Sequence, residues 1–182
     1  YARDEFEIML QDVKLCKQLG CDGVVIGLLN MDGSIDVVRA GQLVEAAYPL
    51  GVTFHRAFDR CKDPFEALEQ LIEIGCERIL TSGLVPNALN GAETLAALIK
   101  QADERIIIMP GSGIRAGNII ELAQKTGAVE FHTSARMNID SKMNYTNEGM
   151  NESLKSVSAD VDEIKKIIFS LNNFFNAEKK RC

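Results

Sequence analysis

The sequence predicts an α/β fold of the (β/α)8 TIM-barrel class, represented by its last five strand–helix units and lacking the first three strands. Three observations lead there. Short runs rich in Val and Ile begin at Val24, Val52, Ile79, Ile106 and Val129, so a strand recurs about every 27 residues. Segments of helical periodicity separate these runs, which calls for parallel strands joined by right-handed crossovers. The junctions repeat as well: "LGCDGVVI", "IGCERIL" and "TGAVEF" each pass from a helix-ending glycine through a small residue and a short link into a strand. A doubly wound sheet would be complete with five strands, but the chemistry expected on the inward face favours a barrel. Eight such units make roughly 220 to 250 residues, the usual barrel size. The chain opens at Tyr1 on a helix, with no strand and no methionine before it. Hence the expectation that three units are missing, and that two sheet edges are left open to pairing.

Each element has its own signal. Phe6, Met9, Leu10, Val13, Cys16 and Leu19 form one apolar helical face that stops at Gly20. The run from Val24 is continuously apolar, as parallel strands covered on both faces are. Asp32-Gly33 within "NMDGSID" reads as a turn, followed by a helix N-cap at Asp36; the stretch lacks the full ligand spacing of a calcium loop. After the Val52 strand, Asp63-Pro64-Phe65-Glu66 reads as an N-cap, a proline at the first helical position and a capping-box glutamate. Leu68, Leu71 and Ile72 carry that helix to its stop at Gly75. Ile119, Ile120, Leu122 and Ala123 form a further helix ending at Gly127. A single domain is expected over 1–182, with a long polar loop over 137–158 and a C-terminal helix over 159–176 carrying Val161, Ile164, Ile168, Leu171 and Phe175.

Composition excludes several classes. The 182 residues are 46% hydrophobic and 25% charged, the balance of a soluble globular chain. With a net charge of −6 and dispersed acidic residues, the chain is not expected to grip nucleic acid. No apolar run approaches the roughly 20 residues that span a bilayer. The five cysteines (Cys16, Cys21, Cys61, Cys76, Cys182) contain no CxxC pair and suit reduced thiols in a cytoplasm. Cys16 and Cys21 lie near a helix end and Cys76 takes the place equivalent to Cys21; all three read as small buried thiols.

Strand alternation then selects candidate site residues. The two histidines end matching patterns, "VTFH" and "VEFH". With Val52, Phe54, Val129 and Phe131 turned to the helices, Thr53, His55, Glu130 and His132 face the lumen, with the histidines nearest the C-terminal mouth where barrels handle ligands. Thr81, with Ser82 after it, is given a comparable place at the end of "ILTS". His55, Arg56, Asp59, Glu130 and His132 are the catalytic candidates, the histidines for proton transfer. Glu130 has a structural alternative as partner of an arginine or lysine from a neighbouring strand. "MPGSGIRAGN" supplies Gly111, Ser112, Gly113 and Arg115 ahead of a helix start, and "HTSAR" supplies Thr133, Ser134 and Arg136 in the following loop. Together with Thr81 and Ser82 these are the anion-binding candidates, because the last two loops of such barrels often hold phosphate. No metal ligands are assigned. Met137, Met143 and Met150 lie in the polar stretch, which reads as a loop over the mouth or a subunit contact.

Taken together, "VTFHRAFD", "ILTSG", "MPGSGIRAGN", "EFHTSAR", "DGVVIGLLNMDGSID" and "DPFEALEQLIEIGCERILTSG" resemble the CutC copper homeostasis family over nearly the whole chain. That resemblance implies a cytoplasmic (β/α)8 barrel linked to copper, a homo-oligomer such as a dimer, and about three further units before Tyr1. It places the family's proposed copper ligands in those units, so none of the five cysteines inherits the role by motif. Two functions are carried forward: cytoplasmic copper binding or handling, and an enzyme acting on a small anionic or phosphorylated substrate at the C-terminal mouth. The partner is accordingly a copper ion or a small anion, with neither nucleic acid nor membrane.

Overall fold

The computed structural model describes residues 1–179, with Cys182 outside the described residues. Its contacts group the chain into two compact units where a single domain is expected. One comprises Tyr1–Ile114 and Glu121–His132; the other comprises Arg115–Ile120 and the chain from Thr133 onward.

The first unit is the strand–helix repeat. Helix α1 (Arg3–Gln18) leads into strand β1 (Gly23–Ile26), then α2 (Val37–Ala47), β2 (Gly51–Phe54), α3 (Pro64–Glu73), β3 (Arg78–Thr81), α4 (Ala92–Ala102) and β4 (Ile107–Pro110). The four strands form one parallel sheet in the order β1-β2-β3-β4, the arrangement expected of consecutive units in a barrel wall. Register is set by the burial alternation. Ile26, Val52, Phe54, Ile79 and Ile108 are buried together with Leu43 of α2, Leu68 and Leu71 of α3, and Leu95 and Leu98 of α4. The opposite row, Val25, Thr53, Arg78 and Ile107, runs side by side across all four strands and forms the lumen face. Val25 in this row is 64% exposed, which marks an unclosed wall.

Local signals behave largely as physical chemistry dictates. The Asp63 carboxylate caps α3 by accepting from the amides of Phe65 and Glu66, with Pro64 at the start of the helix. The Glu66 carboxylate accepts from Gln70 one turn on rather than closing a capping box. Asp36 caps α2 through the Arg39 amide. Asp32 opens the preceding turn and pairs with Lys62 at 2.8 Å; that hydrogen bond, with those from Ser34, holds its carboxyl far below the usual range.

Two expectations need correction. The run from Val129 does not continue the sheet as a strand, because its pairing is reduced to one parallel bridge between Gly111 and His132. The thiols are also not alike. Burial pushes Cys76 up to about 12 and Cys61 up to about 11, but Cys16 is half-buried and Cys21 exposed. Cys76 leads into an interior strand, whereas Cys21 leads into β1, which among the described residues pairs only with β2.

In the second unit the ends of the polar stretch pair with each other. Strand β5 (Arg136–Ile139) runs antiparallel to β6 (Ser156–Ala159), and helix α6 (Val161–Lys179) follows. Every residue of this hairpin is exposed, Met137, Met143 and Met150 among them. Helix α5 (Ile119–Thr126) spans residues of both units.

Candidate functional site

Both histidines occupy the same ladder position. The His55 amide donates to the carbonyl of Ile26, the last residue of β1, and the His132 amide donates to that of Pro110, the last residue of β4, at 2.8 and 2.9 Å. Their imidazoles have different duties. His55 Nδ1 accepts from the Ala57 amide at 3.1 Å and so caps a short 3-10 turn, Arg56–Arg60. That hydrogen bond places the neutral ring's proton on Nε2, leaving the ring a donor rather than a base on that side. The ring also lines a cavity of about 370 Å³ that reaches Met9, Asp12 and Cys16 of α1. His132 is exposed.

The 3-10 turn brings Arg56 and Asp59 together and sets both against the end of β3. Asp59 Oδ1 accepts from Thr81 Oγ1 at 2.5 Å, from the Ser82 amide at 2.9 Å and from the Leu84 amide at 3.3 Å. Its Oδ2 accepts from Arg56 Nε at 2.7 Å and lies 3.0 Å from Ser82 Oγ, which also meets the Val85 carbonyl. Burial alone would raise the Asp59 carboxyl, but the hydrogen bonds from Thr81, Arg56 and Ser82 outweigh it and hold the carboxyl below its ordinary value. With hydrogen bonds accepted at both oxygens, Asp59 positions Arg56. Arg56 donates a second hydrogen bond, from Nη2 to Ser82 Oγ at 2.9 Å. Nη1 takes no part in either contact, and the side chain is 44% exposed. The result is a guanidinium fixed on its inner edge and open on its outer one, a geometry suited to a carboxylate or phosphate.

Thr81 does not share the lumen face with His55. It belongs to the Ile79 row, is fully buried, and gives its hydroxyl to Asp59 while accepting from the Gly83 amide at 3.0 Å. Two glycines let the loop after Ser82 fold back on it. A Cβ on Gly91 would lie 2.1 Å from the Ser82 carbonyl oxygen, and one on Gly83, where φ is +76°, would lie 2.6 Å from the Gly91 carbonyl oxygen. The same loop ties down the glycine-rich turn. Ser112 Oγ donates to the Pro86 carbonyl at 2.7 Å, Gly111 donates to Thr81, and Gly113 lies against the Asn87 side chain.

Glu130 faces the lumen and is paired. It accepts from Arg78 Nε and Nη2 at 2.7 and 3.3 Å, while Arg78 Nη1 meets Glu77 at 2.8 Å. These hydrogen bonds, Glu130's foremost, raise Arg78 above its usual range. Arg78 is the site residue that sequence reasoning missed; its signal was a charge on the inward phase of an otherwise apolar strand.

The remaining anion candidates belong to the second unit. Arg115 Nη2 donates to the Arg136 carbonyl at 2.9 Å, Thr133 Oγ1 accepts from the Ala135 amide, and Ser134 and Arg136 are exposed. Ahead of α5, the Ala116 amide donates to Glu163 Oε1 at 2.7 Å. The amide expected to meet a bound anion thus holds the protein's own carboxylate.

Among the described residues, no group of three or more His, Cys, Asp or Glu side chains is placed to hold a metal ion, and no helix is long and apolar enough to cross a membrane.

Comparison with known proteins gives a consistent picture. The model of the CutC family matches residues 1–137. A CutC family protein of Parabacteroides distasonis is 53% identical over 165 residues, covering 91% of this chain and 68% of its own. One from Chromobacterium violaceum is 49% identical over 150 residues, covering 82% of this chain and 61% of its own. The chain therefore spans about two thirds or less of the length of these relatives. The crystal structure of the putative copper homeostasis protein CutC from Streptococcus agalactiae superposes with a TM-score of 0.69 at 32% identity, covering 72% of this chain and 65% of that one. The structure described as "Native KDPGal structure" is alike in fold alone, with a TM-score of 0.50 at 13% identity.

Proposed function

Because the chain belongs to the CutC family, we propose that it is a cytoplasmic copper homeostasis protein that binds copper or hands it on. The observation that carries this reading is the family match over residues 1–137 together with a solved relative described as a copper homeostasis protein. The chain's chemistry supports it: four described cysteines are free thiols, the donors that soft Cu(I) prefers. Copper is cargo here, and no reaction is assigned to it. The test is equilibrium dialysis of the reduced chain against Cu(I) buffered by a chromophoric chelator, without oxygen. The chain is expected to withdraw copper from the chelator; a chelator spectrum unchanged by the protein would refute the reading.

The Arg56 geometry favours a second reading, a mouth that takes a small anionic ligand. Arg56 is held by Asp59 and Ser82 with its outer edge open, and His55 Nε2 is a donor at the end of the same strand. Inorganic phosphate is expected to raise the thermal midpoint of the wild-type chain and to lose that effect in Arg56→Ala. Equal shifts in both proteins would remove the mouth from consideration.

A further inference from the structure

Helices α1 and α3 end in the same way, with one exchange of side chain. Each stops at a glycine of positive φ, Gly20 at +77° and Gly75 at +87°. In each, the glycine amide returns to the carbonyl three residues back, Lys17 or Ile72. The next amide returns five residues back, Cys21 to Cys16 and Cys76 to Leu71, both at 3.0 Å. This double closure sets the side chain after the glycine onto the one five positions before it. At α3 the pair is Cys76 and Leu71, both buried, an ordinary core contact. At α1 the same two places hold Cys21 and Cys16, so the motif that elsewhere makes an apolar contact here apposes two thiols. Cys16 is half-buried and Cys21 is exposed. Cys16 also lines the cavity of about 370 Å³ between α1 and β1, beside Met9 and Asp12 of its own helix.

We propose that Cys16 and Cys21 form a two-coordinate site for Cu(I), held as a bis-thiolate at the N-terminal end of the strands. The inference rests on the copper reading above and gives that reading a place in the chain. A soft, monovalent, filled-shell ion accepts two thiolates as a complete coordination set, so a third ligand is not required. Binding is an acid–base exchange without electron transfer: two S–H bonds break, two S–Cu bonds form and both protons go to solvent. The helix-stop hydrogen bonds fix the backbone that carries both thiols before metal arrives, so little chain ordering accompanies binding. Cys16 and Cys21 flank the start of β1 whereas His55 and Arg56 follow β2, so substitutions at the two places test copper and anion binding separately.

The decisive comparison uses the reduced chain and its Cys16→Ser, Cys21→Ser and Cys182→Ser variants, each checked for unaltered circular dichroism. Cu(I) affinity is read by chelator competition, and the ligand type by the ultraviolet thiolate-to-copper absorption. Each serine at position 16 or 21 is expected to weaken Cu(I) binding by more than about tenfold and to reduce the absorption, while Cys182→Ser leaves both unchanged. Native affinity in the Cys16→Ser and Cys21→Ser variants would overturn the site yet leave the copper reading standing. A wild-type chain that takes up no Cu(I) would overturn both.

Discussion

Replacing Asp59 with asparagine is expected to lower unfolding stability at neutral pH by about 2 kcal/mol and to free Arg56 from its fixed orientation. The carboxylate accepts hydrogen bonds at both oxygens, and its side chain is only 9% exposed. An amide offers one acceptor oxygen in place of two and turns an N–H₂ donor toward Arg56. The magnitude is held below that of a fully buried ion pair because Arg56 regains water when released. The pH dependence has a definite sign. Burial works to raise the Asp59 carboxyl, but the hydrogen bonds from Thr81, Arg56 and Ser82 prevail, so the folded chain releases this proton more readily than the unfolded one. Its contribution is therefore complete above the unfolded value of about 4 and is lost as pH falls through the lower folded value. Urea unfolding of wild type and Asp59→Asn should show a gap at pH 7 that narrows as the pH falls below about 4. A gap that stays constant with pH would show that Asp59 acts by shape and not by charge.

The second large effect concerns a backbone approach. Gly91→Ala places a methyl group 2.1 Å from the Ser82 carbonyl oxygen, too close for any rotamer to relieve, since both partners are main chain. The loop from Ser82 to Gly91 must move, and it carries the Ser82 amide that Asp59 needs. A loss of about 3 kcal/mol is expected from this overpacking, with the phosphate response of the mouth falling alongside it. Gly117→Ala is the fitting control, because nothing lies within 4 Å of the added carbon. That change should stay within about 0.5 kcal/mol. Similar denaturation midpoints for the two alanine variants would contradict the close packing of the loop.

How far the sequence alone leads can be judged element by element. Strands β1 to β4 were legible because parallel strands need unbroken apolar runs, and Gly20, Gly75 and Gly127 marked helix ends because each takes a positive φ. Val129-Glu130-Phe131-His132 carried the same strand signal but makes one bridge, since pairing depends on neighbours that no local pattern encodes. The β5–β6 hairpin was invisible because all its residues are exposed, so no buried face imposes a period. The site was legible by address and less so by duty. His55 and His132 do share one ladder position, and Asp59 does stand beside Arg56. What the sequence did not disclose was occupation: Glu163 on the Ala116 amide, Pro86 on Ser112, and Asp59 on Thr81 are contacts between distant segments. The thiols show the same limit. Cys21 and Cys76 were correctly equated by position, but burial separates them, because one precedes an edge strand and the other an interior one.

The Arg78–Glu130 pair has a meaning that depends on how wet its surroundings are. Lying on the lumen face with side chains 28% and 36% exposed, it is partly open to solvent in this chain. Under those conditions such a pair contributes about 0 to 1 kcal/mol and fades as salt screens it. Any element that closes over the lumen removes that water, deepens the attraction and makes loss of either partner far more damaging. The ionic-strength response of this single pair thus serves as an internal hygrometer for the barrel interior.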